Sequence, residues 1–215
     1  MVIKKRILKP TLICHTKVFE DLFEIENSII FEIGVGALPL CRTLNFINTT
    51  NQCYLFEPNP SSFTGLKRHL GQYDNFHLFN IALGNINRKE LSAENNTCEF
   101  ILDSNNSYIE GIQSPCLTYW KEDINKFHKI KVPFYDITDY DEGNIDFLYL
   151  DTEGSEYFIL EKLVSRPKGI VVELRSLGCN YTHKYFHEIN KWMDDNNYDL
   201  YKIISKEDYI FIQSG

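Results

Sequence analysis

The sequence predicts an α/β fold: a doubly wound, mostly parallel sheet with helices on both faces and an antiparallel hairpin at its C-terminal end. Three observations carry this. Short β-branched and aromatic runs alternate with segments whose apolar residues recur at helical spacing. Ile145 to Leu150 is nearly all apolar, as a parallel strand covered on both faces should be. Tyr198 to Ser205 and Tyr209 to Gln213 are two strand-like runs joined at Lys206-Glu207-Asp208.

Taken in order, Ser28 to Ile33 is the first strand and ends on Glu32-Ile33-Gly34. Gln52 to Phe56 is the second and ends on Glu57-Pro58. Between them Leu40, Leu44 and Ile47 recur at helical spacing. Ser61 is placed to cap a helix in which Phe63, Leu66 and Leu70 share a face. Phe76 to Leu83 reads as the third strand, Ile145 to Leu150 as the fourth and Ile170 to Leu174 as the fifth. Ser155 to Val164 and His183 to Asn196 read as helices, the second turning Phe186, Ile189 and Trp192-Met193 inward. Ser92 to Asp141 breaks the alternation: it is polar, Asn-rich and carries Pro115 and Pro133. It reads as an insertion with a short strand around Lys131 to Tyr135. Residues 1–215 are expected to form one domain that includes this insertion.

Composition removes several function classes. Hydrophobic residues make up 43% and charged residues 24%, the balance of a folded globule rather than a disordered chain. The net charge of −8 argues against binding nucleic-acid phosphates. No apolar run reaches the ~18 residues a membrane helix needs, and the basic stretch Met1 to Pro10 is followed by no apolar leader region. Six scattered cysteines without CxxC spacing read as reduced thiols, so a cytoplasmic location is expected.

In open α/β sheets ligands bind outside the carboxyl ends of the strands. The first strand end, Glu32-Ile33-Gly34-Val35-Gly36, has glycines for a tight turn and close ligand approach. The second, Phe56-Glu57-Pro58-Asn59-Pro60, puts an acid at the neighbouring strand end, where it can hold both hydroxyls of a ribose. Together they point to a nucleoside site without choosing the cofactor. A dinucleotide site would want a third glycine three residues past Gly36; Leu38-Pro39 stands there instead, which counts against NAD. The fourth strand runs into Asp151-Thr152-Glu153-Gly154-Ser155-Glu156. Asp151 is thereby placed over the sheet centre, where a carboxylate can accept or orient the proton of a substrate hydroxyl.

Four segments in order, Phe56 to Pro60, Asn80-Ile81-Ala82-Leu83-Gly84, Ile145 through Asp151 to Tyr157, and Val171-Val172-Glu173-Leu174, resemble the FkbM family of methyltransferases. The resemblance covers roughly residues 29 to 175. It implies a seven-stranded Rossmann-like methyltransferase fold, S-adenosylmethionine as cofactor, and methylation of a hydroxyl, often on a sugar of a glycan or natural product. By the same resemblance Glu32, Gly34 and Gly36 sit under the methionine part of the cofactor and Glu57 binds the ribose hydroxyls. Asn59 lies close by, Ala82 lines the adenine and Asp151 faces the reacting methyl. Asn106-Ser107 corresponds to a Ser-containing family segment near the cofactor. Asp136 corresponds to an acid the family carries before the fourth strand. Ser107, Glu153 and Arg175 are the expected contacts to the acceptor. The family commonly carries Lys two residues before the strand-end Asp; Tyr149 stands there, so the sequence shows no cation to tune Asp151.

The expected partner is a small-molecule or glycan acceptor, with no nucleic acid, no membrane span and no bound metal. The sequence does not set the oligomeric state. A non-catalytic nucleoside-binding module and an NAD-dependent enzyme remain open at this point. His183 and His187, four apart, read as a partly exposed helical pair. Asp136, Asp139, Asp141 and Glu142 read as a solvated acidic loop, and Tyr108, Tyr119 and Trp120 suit sugar stacking or packing.

Overall fold

The computed structural model describes residues 10–87, 93–103, 107–112, 126–176 and 181–215. Its strands are β1 (Ile29–Ile33), β2 (Gln52–Phe56), β3 (Phe76–Phe79), β4 (Ala82–Gly84), β5 (Ala93–Glu94), β6 (Thr97–Leu102), β7 (Tyr108–Ile109), β8 (His128–Asp136), β9 (Phe147–Leu150), β10 (Gly169–Glu173), β11 (Arg175–Ser176), β12 (Tyr181–Thr182), β13 (Tyr198–Ile204) and β14 (Asp208–Gln213). Its α-helices are α1 (Pro10–Leu22), α2 (Pro60–Leu70), α3 (Glu156–Leu160) and α4 (Phe186–Asp195).

The central sheet has seven strands in the order β13-β14-β10-β9-β1-β2-β3. β3, β2, β1, β9 and β10 are parallel, and β14 is antiparallel to both of its neighbours. The predicted C-terminal hairpin is present, but its antiparallel strand is not the edge. β14 inserts between β10 and β13, and β13 closes the sheet running with the parallel set. The chain leaves β1 towards β2 and β3 on one side and returns to β9 and β10 on the other. The switch point therefore lies between β1 and β9.

Side-chain alternation splits the core in two. On one face Phe31, Ile33, Leu148, Leu150 and Val172 pack against Ile159, Leu160, Ile189 and Met193 of α3 and α4. On the other, Ile30, Leu55, Phe147, Tyr149 and Val171 pack against Phe19 of α1 and Leu66 and Leu70 of α2. Glu32 and Asp151 follow the parity of this second face.

Several expectations change. The sequence reading assigned no element to α1, yet its Phe19 ring sits 4.8 Å from Phe147 and 5.7 Å from Tyr149. The helical spacing after β1 resolves into two short 3-10 turns, Leu38–Leu40 and Arg42–Phe46, the first opening with Pro39 near its start. Asn59, not Ser61, caps α2: its side chain accepts from the Ser61 N–H at 3.0 Å, and Pro60 supplies a first helical position that needs no donor. The predicted third strand splits after Phe79, because the Asn80 side chain donates to the carbonyls of Glu57 and Pro58 at 2.8 and 3.1 Å and turns the chain away. Ala82–Gly84 then joins a second sheet, β4-β8-β6-β5, with β7 on β6. The described part of the inserted segment is thus largely antiparallel sheet, with β8 spanning nine residues. The helix after β9 is only five residues long.

The acidic segment is not a solvated loop throughout. Asp136 accepts from the Ile86 N–H at 2.8 Å, and Asp141 accepts from the N–H groups of Val164 (2.7 Å) and Ser165 (2.8 Å) and from the Ser165 hydroxyl. These two carboxylates are buried and fix the approach to β9. Cys41, Cys53 and Cys98 are buried free thiols. Among the described residues no helix is long and apolar enough to cross a membrane.

Candidate active site

The carboxyl ends of β1, β2 and β9 open onto a cleft of about 820 Å³ counting its open mouth. Gly34, Gly36, Glu57, Asn59, Ala82, Ser107, Asp151 and Glu153 all line it. Ile33, Leu40, Phe56, Ile81, Leu83, Phe100 and Ile109 supply apolar wall. Two predicted residues are placed elsewhere. Glu32 lies beneath the cleft, and Arg175 is exposed beside a smaller neighbouring recess, its guanidinium 5.6 Å from the Phe186 ring centre. Asn106, Tyr119 and Trp120 lie outside the described residues.

Gly34 makes the close approach of β1 and β9 possible. Its φ is +81°, and a Cβ there would stand 1.8 Å from the Asp151 carbonyl oxygen. Its N–H donates to the Phe56 carbonyl at 2.9 Å, which ties the first turn to β2. Beneath it the buried Glu32 carboxylate accepts from the N–H groups of Arg42 (2.7 Å) and Thr43 (3.0 Å) and from the Thr43 hydroxyl (2.7 Å). Glu32 therefore shapes the turn under the Gly34–Gly36 loop with its acceptors occupied by protein.

Glu57 joins the two strand-end turns. Its Oε2 accepts from the Gly36 N–H at 2.6 Å and its Oε1 from the Asn59 N–H at 2.7 Å. Each oxygen keeps a further lone pair for a ligand hydroxyl. Burial pushes the Glu57 carboxyl up to about 7, helped by the charges of Asp151 and Glu32 and opposed by the two N–H bonds. Hydroxyl donors favour the carboxylate form. S-adenosylmethionine affinity is therefore expected to rise about tenfold per pH unit below about 7 and to level off above it, by proton linkage. Calorimetric titration from pH 5.5 to 8.5 checks this. Glu57→Gln should flatten the curve, and an unflattened curve would remove Glu57 from the ribose site. The sign for the fold is opposite. A raised carboxyl costs the free protein stability as pH rises from the ordinary carboxylate range through about 7.

Asp151 follows β9, its side chain 24% exposed. Its Oδ2 accepts from Arg42 Nη2 at 2.8 Å. Arg42 comes from the second 3-10 turn and is itself buried. Burial opposes its charge, but the carboxylates of Asp151, Asp208 and Glu32 more than offset this and hold it protonated. The cation missing from Tyr149 is thus supplied by another element, on the same face of the sheet. Glu173, at the end of the neighbouring β10, is held well above the usual carboxylate range by burial, by the Asp151 and Glu153 charges, and by a hydrogen bond with Asp151.

The turn after Asp151 is organised by a buried carboxylate. Glu156 accepts from the Thr152 N–H (2.6 Å), the Thr152 hydroxyl (2.8 Å) and the Gly154 N–H (3.0 Å). These bonds hold Glu153 at a φ of +58°, unusual for a residue with a side chain. His183 Nε2 lies 2.7 Å from Glu156 Oε2, and the Tyr185 N–H reaches His183 Nδ1 at 3.0 Å. Because Nδ1 accepts, Nε2 carries the proton that Glu156 receives. Burial raises the Glu156 carboxyl, but the hydrogen bond with His183 and the turn N–H groups hold it below the usual range. The histidine pair read as helical is corrected here: His183 precedes α4 and is buried, while His187 on α4 is exposed. Glu156→Ala should cost about 3–5 kcal/mol by stranding His183 and the turn donors, read as a loss in denaturant midpoint; a cost under ~1 kcal/mol would contradict the buried pair.

Sequence reading missed Arg42, Glu173, Glu156 and His183 as site residues. Glu173 offered the same signal as Asp151, an acid ending a buried strand. Arg42 and Asp151 are 109 residues apart, and no local pattern links them.

A parallel sheet with one inserted antiparallel strand, a cleft at its switch point and an acid at the β2 end define a Rossmann-like fold of the kind methyltransferases use. Residues 34–200 match the methyltransferase FkbM domain. The chain belongs to the FkbM methyltransferase family, and S-adenosylmethionine is its methyl donor. Among solved structures, precorrin-6y C5,15-methyltransferase from Geobacter metallireducens GS-15 is similar with a TM-score of 0.50 at 12% identity, over 98% of this chain and 92% of that one. A SAM dependent methyltransferase from Aquifex aeolicus gives 0.48 at 11% identity, over 96% and 94%. Aeropyrum pernix fibrillarin, in complex with natively bound S-adenosyl-L-methionine, also gives 0.48 at 11%, over 92% and 72%. At such identities the first likeness shows the fold alone. No curated protein matches the sequence.

Proposed function

We propose that this methyltransferase methylates a hydroxyl of a saccharide or nucleotide-linked sugar in surface-glycan or natural-product assembly. The observation that carries the reading is the partly exposed Asp151 carboxylate on the cleft wall, opposite the Glu57 turn and fixed by Arg42. The lining fits the donor: a carboxylate with spare acceptors at the β2 end, glycine turns that admit a ligand to the backbone, and apolar wall from Ile81 to Leu83. When bound, S-adenosylmethionine supplies an electrophilic methyl group on a sulfonium centre. Glu57 would hold the ribose hydroxyls, and the turn 34–36 would seat the methionine part. Asp151 would orient the acceptor hydroxyl and receive its proton as the oxygen attacks. Most of the rate would come from alignment, with proton acceptance adding about 10²–10⁴. Ser107 and Glu153, on the cleft wall, and Arg175, by the adjoining recess, are the side chains proposed to meet the acceptor.

The test is methyl transfer from isotope-labelled S-adenosylmethionine to a panel of nucleotide sugars, neutral oligosaccharides, small amines and peptides. Label in an ether of a sugar is the expected result. Label only in amines would overturn the hydroxyl assignment. Saturable donor binding with no transfer to any class would favour a binding module.

A further inference from the structure

We infer that Arg42 is the positioning residue of this active site, reaching across the sheet ends to lock Asp151 in its working orientation. The inference rests on the reading of Asp151 as the acceptor of the hydroxyl proton.

The geometry is that of a built brace. The Arg42 main chain is pinned at both ends: its N–H donates to Glu32 at 2.7 Å, and its carbonyl accepts from the Thr16 hydroxyl at 3.1 Å. The guanidinium, with 7% of the side chain exposed, then spans two strand ends. Nη2 lies 2.8 Å from Asp151 Oδ2 after β9 and 3.5 Å from Asp208 Oδ1 at the start of β14. Asp208 is in turn 3.1 Å from His15 Nε2 of α1. The result is a buried run of charges, Asp208–Arg42–Asp151, backed by the His15 ring, and of these groups Asp151 alone lines the cleft.

Such an arrangement has a direction. Asp208 and Glu32 are buried and occupied by protein partners, so they act on Arg42 and not on a ligand. Asp151 is the partly exposed end. A guanidinium is planar and presents several donors in fixed geometry, so a pinned arginine transmits orientation as well as charge. The strand position two residues before Asp151 holds Tyr149, whose side chain lies on the same face. A cation at 149 would compete with Arg42 for one carboxylate. The tyrosine and the arginine therefore form one solution: the cation comes from the turn that follows the glycines and not from the strand. Movement of that turn on donor binding would be felt at Asp151 through the same side chain.

The experiment has two arms on the full chain. The first is a double-mutant cycle in melting temperature with Arg42→Gln, Asp151→Asn and the pair. The loss caused by Arg42→Gln should shrink by about half or more once Asp151 is Asn, since coupled neighbours are non-additive. Additive losses would overturn the pairing, and this arm needs no acceptor. The second is steady-state kinetics with an acceptor from the panel above. Arg42→Gln should lower kcat about 10²-fold, as a misplaced catalytic group does, with KM for the donor within about threefold. Arg42→Lys should recover most of the loss but remain about three- to tenfold below the parent. A kcat for Arg42→Gln within about threefold of the parent, with coupling intact, would reduce Arg42 to a structural ion pair. If Arg42→Gln does not fold, Arg42→Lys carries the test: a deficit of about three- to tenfold in kcat supports the brace, and the parent kcat overturns it. A silent acceptor panel with intact coupling would count against the proposed function and leave the Arg42–Asp151 pairing standing.

Discussion

Asp151→Asn is expected to lower turnover on a hydroxyl acceptor by about 10²–10⁴ while the protein folds and binds donor nearly as before. The substitution keeps the shape of the side chain and an oxygen that can still accept from Arg42. It removes the negative charge and the capacity to take a proton. The carboxylate lies at the switch point of the sheet, where the ends of β1 and β9 meet, and it is the partly exposed end of a buried charge chain. The turn itself should keep its shape, because it is organised by Glu156 through Thr152 and Gly154, while the weakened pairing with the buried Arg42 lowers the melting temperature. Donor affinity should fall less than about tenfold, since the ribose hydroxyls are assigned to Glu57 rather than to Asp151. Steady-state kinetics beside calorimetric donor titration separates the two quantities. A turnover loss below tenfold would make Asp151 an orienting residue with no part in proton transfer.

Gly34→Ala is expected to weaken donor binding about 10²-fold or more, because turns displaced by about 1 Å no longer align a ligand. The residue sits at a φ of +81°, and its missing side chain is where the Asp151 carbonyl oxygen lies, 1.8 Å from a built Cβ. Backbone meets backbone there, so no flexible side chain can give way. Gly36→Ala is the internal control. Its φ is +65°, but the nearest atom to a built Cβ is Leu40 Cδ1 at 3.4 Å, the free end of a side chain. In fold stability that variant should cost only the left-handed penalty of about 1–2 kcal/mol, a few degrees in melting temperature. It is a control for stability rather than for donor affinity, since the turn 34–36 is proposed to seat the donor. Calorimetry and thermal melting on both variants decide the matter. Equal, small effects would mean that β1 and β9 separate more readily than the close approach at Gly34 implies.

Much of the site is local information. The Gly34–Gly36 turn, the Glu57-Pro58-Asn59 turn and Asp151 each end an apolar run that alternation identifies as a strand, and the structure gathers them on one cleft. Their convergence follows from parallel pairing, which brings carboxyl ends of neighbouring strands to one edge. Ala82 and Ser107 also reach that cleft, though from the second sheet, whose pairing no local run announces. Arg175 offered a charge after a strand and ends beside a different recess, over Phe186, because the chain bends into β11 at once. Glu32 had the signal of a strand-end acid, but side-chain parity turns it below the loop, onto Arg42 and Thr43.

The sequence by itself determined the parallel strands, their chain order, the C-terminal hairpin and the acids and glycines at the strand ends. These features are written in periods of two and in residues only a few positions apart. Tertiary structure alone decided that Phe76 to Leu83 divides between two sheets and that β14 slips inside the edge. It also buried His183 against Glu156 and brought Arg42 to Asp151 across 109 residues of chain. Those outcomes depend on which distant side chains meet once the sheet has closed. A guanidinium or a carboxyl group carries the same local signal whether it ends in water or in the core, and only its partner settles which.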